Sequence, residues 1–277
     1  MEKKEFFVKS RDGVDIGVLW FGTSVPNAPL LIDIHGGGFV GGHHYDDKNL
    51  CERFSKELNI NVASIEYRYA PSVTYPKASE DCYDALVGLY TNKELDFDRK
   101  KMFLMGHSAG GNLAAGLAYL CGKDYPVMGL VLNYPFLDIA INPRKRKHIK
   151  YSIPAFIIKH FNDKYFPNIE QRSDFLASPV YISKKEAKFI PPTFISTCQY
   201  DSLRSDGIEF FNKLKELGNE VKHIDYEGAF HGFIETVSNN SIDKSRWLSK
   251  KQKQGQRKLY ERAFTDICKF ITKEVNR

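Results

Sequence analysis

Short apolar runs recur along the chain at residues 14–21, 30–34, 62–65, 102–105, 127–132, 193–197 and 221–226, separated by longer segments of helical pattern. Several runs lack polar alternation, as expected of strands covered on both faces in a parallel sheet. The spacing predicts helices over 46–58, 78–91, 109–121, 206–217 and 256–271. Within 206–217, Ile208, Phe211, Leu214 and Leu217 return every three residues and mark one face, and Gly218 follows as a stop signal. Alternating strands and helices imply an α/β fold on a mainly parallel sheet. Two stretches break the rhythm. Residues 142–190 separate the sixth and seventh runs without a clear strand, and 239–255 are polar and basic. Insertions of this kind sit over the carboxyl ends of the strands and shape the pocket there, or else form solvated surface.

Composition narrows the class. The 277 residues are 42% hydrophobic and 13% aromatic, which excludes disorder over most of the length. The formal charge of +6 is unevenly placed: 142–190 and 241–277 each carry 11 Lys/Arg against 4 Asp/Glu, so the rest of the chain is net acidic. No nucleic-acid partner is therefore expected, and the basic runs 144–148 and 250–253 read as solubilising surface. Cys51, Cys82, Cys121, Cys198 and Cys268 are scattered among apolar residues without a C-x-x-C pair, which predicts reduced thiols rather than a disulfide frame or zinc site. Neither a signal core nor a membrane-spanning apolar run is present, so a cytoplasmic location is expected.

The sequence Gly106-His107-Ser108-Ala109-Gly110 follows the run 102–105 and opens a helical segment. It is G-x-S-x-G in the strand–turn–helix context that exposes a serine nucleophile, with Gly106 and Gly110 leaving room for a strained turn. His35-Gly36-Gly37-Gly38 follows the run 30–34, and consecutive glycines let backbone N–H groups approach a developing oxyanion. A serine nucleophile needs a base, and the base a carboxylate to orient it. Asp201 closes the run that begins at 193, and His231 lies just beyond the last run, giving the chain order Ser, Asp, His. Asp206 is the rival acid, but its place at a helix start favours N-capping. His43, His44, His148, His160 and His223 read as surface or structural residues.

These motifs together resemble the hormone-sensitive-lipase-like carboxylesterases of the α/β-hydrolase superfamily, over residues 31–234. Glu66-Tyr67-Arg68-Tyr69-Ala70-Pro71 is similar to the family's Asp-Tyr-Arg-Leu-Ala-Pro. Further similar segments are 75–81, 133–138, 177–179, and 191–193 leading into 201–207. The resemblance implies Ser108 as nucleophile, His231 as base and then acid, and Asp201 as its orienter. It also implies an oxyanion hole from the N–H groups of Gly37, Gly38 and Ala109, with His35 and Gly36 supporting the loop. Three departures stand out. Only 34 residues precede His35, so the cap is smaller or comes from 142–190. Ser202 replaces the usual Pro, a change expected to loosen the acid loop. His107 stands where Asp or Thr is frequent.

The motifs run from His35 to His231 and must converge, so residues 1–277 are read as a single α/β-hydrolase domain with 142–190 as its cap insertion. The expected activity is hydrolysis of short-chain carboxylic esters of small molecules through an acyl-serine, without metal or organic cofactor. Arylformamide or other amide hydrolysis uses the same machinery. A non-catalytic ligand-binding protein of the same fold, as among the plant gibberellin receptors, is the alternative of another class. Homo-oligomerisation is left open.

Overall fold

The computed structural model describes residues 2–122 and 124–277. Its strands are β1 (Glu2–Lys9), β2 (Asp15–Gly22), β3 (Leu30–Ile34), β4 (Asn61–Ile65), β5 (Met102–His107), β6 (Val127–Asn133), β7 (Thr193–Tyr200) and β8 (Val221–Phe230). The helices are α1 (Lys48–Leu58), α2 (Lys77–Thr91), α3 (Ala109–Cys121), α4 (Ala155–Tyr165), α5 (Lys184–Ala187), α6 (Arg204–Glu216), α7 (Phe233–Ser238) and α8 (Lys250–Val275). They form an α/β-hydrolase fold on one eight-stranded sheet, ordered β1-β2-β4-β3-β5-β6-β7-β8. The pairs β1–β2 and β2–β4 are antiparallel; from β4 to β8 every pair is parallel.

The uninterrupted apolar runs fall where they must, in the middle of this sheet. Successive strand side chains point to opposite faces. Leu30, Ile32 and Ile34 join α2, α3 and α6 in one core, whereas Leu31 joins α1, α7 and α8 in the other. Asp33 points into that second side and is fully buried, an unusual place for a charge. Helix α3 is buried almost all round, which its small residues permit: a Cβ at Gly111 would lie 2.8 Å from Pro135.

Three differences from the sequence pattern have physical causes. Strand β1, the strand-like segment after the N-terminus, is an additional antiparallel edge, from Glu2 opposite Gly22 to Lys9 opposite Asp15, and the polar residues on its solvated face keep it out of the apolar runs. The segment 142–190 has no strand, but it contains α4, α5 and three short 3-10 turns. The last six residues of the polar stretch 239–255 belong to α8, which begins at Lys250 rather than 256. Ser249 accepts from the Gln252 N–H while the Gln252 side chain accepts from the Ser249 N–H, a capping box that starts the helix early. Among the described residues, no helix is long and apolar enough to cross a membrane.

Candidate active site

The parallel strands β3, β5, β7 and β8 all end on one side of the sheet, and the singled-out residues follow them. His35 succeeds β3, Ser108 lies between β5 and α3, Asp201 succeeds β7, and His231 lies between β8 and α7.

Ser108 has φ +54° and ψ −116°, a conformation a side-chain-bearing residue adopts only under tertiary compulsion. The compulsion is visible in its glycines. A Cβ at Gly106 would lie 2.1 Å from the Gly110 carbonyl oxygen, and one at Gly110 would lie 2.1 Å from that of Ile34. The turn is pinned further by Ser108 N–H to Asn133 O at 2.9 Å, and by Phe136 N–H to Ser108 O at 3.0 Å. Ser108 thus stands at the amino end of α3, where partial positive charge collects and the Ala109 N–H lies in the first turn.

Three of the predicted residues form a continuous hydrogen-bonded chain. Ser108 Oγ is 2.9 Å from His231 Nε2, and His231 Nδ1 is 2.6 Å from Asp201 Oδ2. Asp201 is buried, and its other oxygen accepts from the Leu203 N–H at 2.9 Å. Gly232, in the left-handed region at φ +74°, turns the chain from His231 into α7. The chain is therefore held from the ends of three different strands.

The glycine loop lies against this serine. A Cβ at Gly36 would come within 3.5 Å of Ser108 Cβ, and Gly37 and Gly38 have φ of +126° and +62°. Any Cβ at Gly37 would sit 1.9 Å from the Gly41 oxygen. His35 fixes the loop from below. It is buried, stacks on Tyr67 at 4.3 Å, and donates from Nδ1 to the Gly36 carbonyl at 2.7 Å. Burial holds its pKa below the ordinary histidine value, consistent with a neutral ring in this role.

Asp206 does not cap α6. Its carboxylate accepts from the Leu137 and Asp138 N–H groups, both at 3.0 Å, and from the Arg146 guanidinium. Helix α6 begins after Leu203 without a side-chain cap. Nor is the whole basic run 144–148 solvated, since Arg146 is buried in this contact. At Ser202 the expected loosening is countered: its hydroxyl donates to the Ile153 carbonyl at 2.9 Å and ties the acid loop to the 142–190 segment.

A cleft of about 480 Å³ opens over Ser108 and His231, with the glycine loop on one side. Ile153 and Phe161 from the 142–190 segment line it, as does Glu235, one helical turn beyond His231. A larger cavity of about 600 Å³ lies along α6 behind the acid loop and includes neither Ser108 nor His231. Sequence reasoning missed Glu235 and its neighbours. Glu235 accepts from the Tyr134 hydroxyl, and the Tyr134 ring meets His231 edge-on at 5.2 Å. Behind Ser108, His107 Nε2 is 3.2 Å from Asp33 Oδ1, and its Nδ1 is 3.7 Å from Glu235 Oε2. The signal was available in Asp33, a charge in the middle of an apolar run.

A strand–serine–helix turn on a mostly parallel sheet, with the histidine at the end of its last strand, defines an α/β-hydrolase. Comparison with known proteins agrees. A family profile described as the alpha/beta hydrolase fold matches residues 31–235. Neutral cholesterol ester hydrolase 1 of Bos taurus is 26% identical over 295 residues, covering 80% of this chain and 72% of that protein. The structure of a hyperthermophilic esterase from the archaeon Pyrobaculum calidifontis superposes with a TM-score of 0.82 at 26% identity, covering 99% of this chain and 86% of that one. A thermophilic, thermostable carboxylesterase cloned from a metagenomic library gives 0.81, also at 26% identity, covering 97% and 88%. The chain belongs to the α/β-hydrolase fold family, in its hormone-sensitive-lipase-like branch, and is a carboxylesterase-type hydrolase.

Proposed function

We propose that the protein hydrolyses short-chain carboxylic esters through an acyl-serine intermediate, with Ser108 as nucleophile, His231 as general base and Asp201 as its orienter. The observation that carries this reading is the unbroken chain from Ser108 Oγ through His231 to Asp201, with links of 2.9 and 2.6 Å. In the first half-reaction Ser108 Oγ attacks the ester carbonyl carbon while its proton passes to His231 Nε2. The carbonyl oxygen becomes an oxyanion facing the N–H groups of Gly37, Gly38 and Ala109, where one such donor contributes about 2.7–4 kcal/mol to the barrier reduction. His231 then returns the proton to the departing alkoxide. Water, deprotonated by His231, attacks the acyl-serine and releases the acid, restoring Ser108.

Residues 142–190 serve in this reading as the cap of a single catalytic domain. Phe161 supports a short acyl chain: its ring atoms would meet a Cβ at Gly38 at 2.6 Å, so the aromatic wall stands directly on the proposed oxyanion loop. The names of the relatives, cholesterol ester hydrolase and carboxylesterase, agree with ester rather than amide chemistry. A binding protein without turnover is disfavoured, because all three members of the chain are present and in contact.

The test is a p-nitrophenyl ester series from acetate to decanoate, with Ser108→Ala beside the unmodified enzyme. Activity concentrated on the shortest chains and lost in Ser108→Ala is expected. Equal, slow rates for both proteins on every ester overturn the reading.

A further inference from the structure

The loop that follows the oxyanion glycines carries a second constellation that ester hydrolysis does not use. His43 and His44 from this loop meet Glu66 from the end of β4, and their ligand-capable atoms lie within 4.8 Å of one another. His43 Nδ1 is 3.5 Å from Glu66 Oε2, and His44 Nδ1 is 2.5 Å from the same oxygen. On its other side, His44 Nε2 is 3.2 Å from Oε1 of Glu5 on β1. Two imidazoles and one carboxylate from two separate parts of the chain therefore gather around one point, and Glu5 backs His44 from its far edge.

The charge balance there is incomplete. Among the described residues, neither Glu5 nor Glu66 has a Lys or Arg within ion-pairing distance; their cationic-capable neighbours are histidines. A neutral imidazole carries a single N–H, so His44 alone serves one of its two carboxylates as a donor. His43 Nδ1 accepts from the Tyr45 N–H at 3.2 Å, so this nitrogen carries no proton, and an ion binding there displaces that bond.

We propose that His43, His44 and Glu66 bind a divalent metal of the zinc class, with Glu5 orienting the His44 ring from Nε2 as an outer partner. Mixed imidazole and carboxylate donors suit such borderline ions better than Ca²⁺ or Mg²⁺, which take all-oxygen sites. With metal–ligand bonds of about 2.0–2.2 Å, the edges of a tetrahedral site are about 3.3–3.6 Å. The separation of 3.5 Å between His43 and Glu66 is already such an edge. The His44–Glu66 contact is a hydrogen bond that opens by about 1 Å when the metal takes the Nδ1 lone pair, and the ring proton then sits on Nε2, where Glu5 accepts it. His44 is 3% exposed while His43 is 49% exposed, which gives the ion a route from solvent to a fixed base.

The consequence concerns the glycine loop. A Cβ at Gly42, next to His43, would lie 2.3 Å from the Gly36 oxygen and 2.6 Å from the His35 ring, so this segment packs directly beneath it. A metal joining it to the end of β4, with Glu5 of β1 behind His44, clamps the loop and stabilises the fold.

The experiment uses untagged full-length protein stripped with a chelator. Zinc is titrated calorimetrically. Bound zinc is measured after dialysis, and melting temperature is followed with and without the ion. One saturable zinc per chain and a raised melting temperature are expected. His43→Ala should weaken binding by at least the roughly 10–100-fold that loss of even an outer-shell partner costs, while His231→Ala binds as before. Because His43 is half exposed, that variant should fold normally, and Glu5→Gln gives a second reading if Glu66→Gln does not fold. Three results overturn the proposal: no saturable zinc, zinc binding unchanged in His43→Ala, or zinc binding lost in His231→Ala.

Discussion

Arg146 is buried against Asp206, its guanidinium donating to both carboxylate oxygens and also to the Asp138 carbonyl. This pair ties the 142–190 segment to the first turn of α6, next to the acid loop. Removing one member of a buried ion pair strands the other without solvent, at a cost of about 3–5 kcal/mol. Arg146→Ala is therefore expected to lose several kcal/mol in urea denaturation, far more than Lys147→Ala beside it. A loss below about 1 kcal/mol shows the pair to be dispensable.

Asp201 accepts from the imidazole and from the Leu203 N–H, so an amide in its place presents the wrong partner to His231. Asp201→Asn should keep the fold but lower kcat by about 10⁴-fold, the scale seen when a buried orienting carboxylate loses its charge. Steady-state kinetics on p-nitrophenyl acetate decide this. A decrease of tenfold or less assigns the orienting role elsewhere, and Asp206→Asn, with its carboxylate turned toward Arg146, is the comparison.

The parallel sheet and the Ser108–Asp201–His231 chain were legible because each depends on local pattern. Apolar runs without alternation mark buried strands, and the glycines at 106, 110, 37 and 38 mark backbone geometry that no other residue tolerates. What stayed hidden depends on long-range contact. Arg146 sits in a run of bases that looks solvated, and only the approach of α6, 60 residues later, buries it. Ser202 reads as the loss of a proline, whereas its hydroxyl finds Ile153, 49 residues earlier. His43 and His44 have no metal-ligand spacing of their own, because the carboxylate that joins them, Glu66, comes from the end of β4.

Phe161 stands on Gly38 and faces the cleft, so in the proposed reaction its ring limits how much acyl chain fits. Phe161→Ala should move the preferred ester toward longer chains, raising kcat/KM for octanoate relative to acetate by about tenfold, the discrimination that a methylene or two supplies in an apolar pocket. The same p-nitrophenyl series measures it. An unchanged chain-length profile places the acyl group on another wall of the cleft.

His107 adjoins Ser108 and gives a pH dependence of definite sign. Burial alone would lower its pKa, but the negative charges of Glu235, Asp33 and Asp47 outweigh burial and push it up to about 10. Unfolding returns the ring to about 6.5. Between these values the folded chain keeps a proton that the unfolded chain has released, so ΔG of unfolding falls as pH rises. The contribution is fully present below about pH 6.5 and gone above about pH 10, with a slope no steeper than about 1.4 kcal/mol per pH unit. His107→Asn removes the titrating group, so its stability deficit relative to the unmodified protein should be largest near pH 6.5 and shrink toward pH 10. Urea midpoints at half-unit intervals across this window provide the measurement. A deficit that is constant or grows with pH would mean that His107 is neutral in the folded protein, with the proton residing on Glu235 or Asp47 instead. Both of those carboxyls have raised pKa values, burial being the first cause for each.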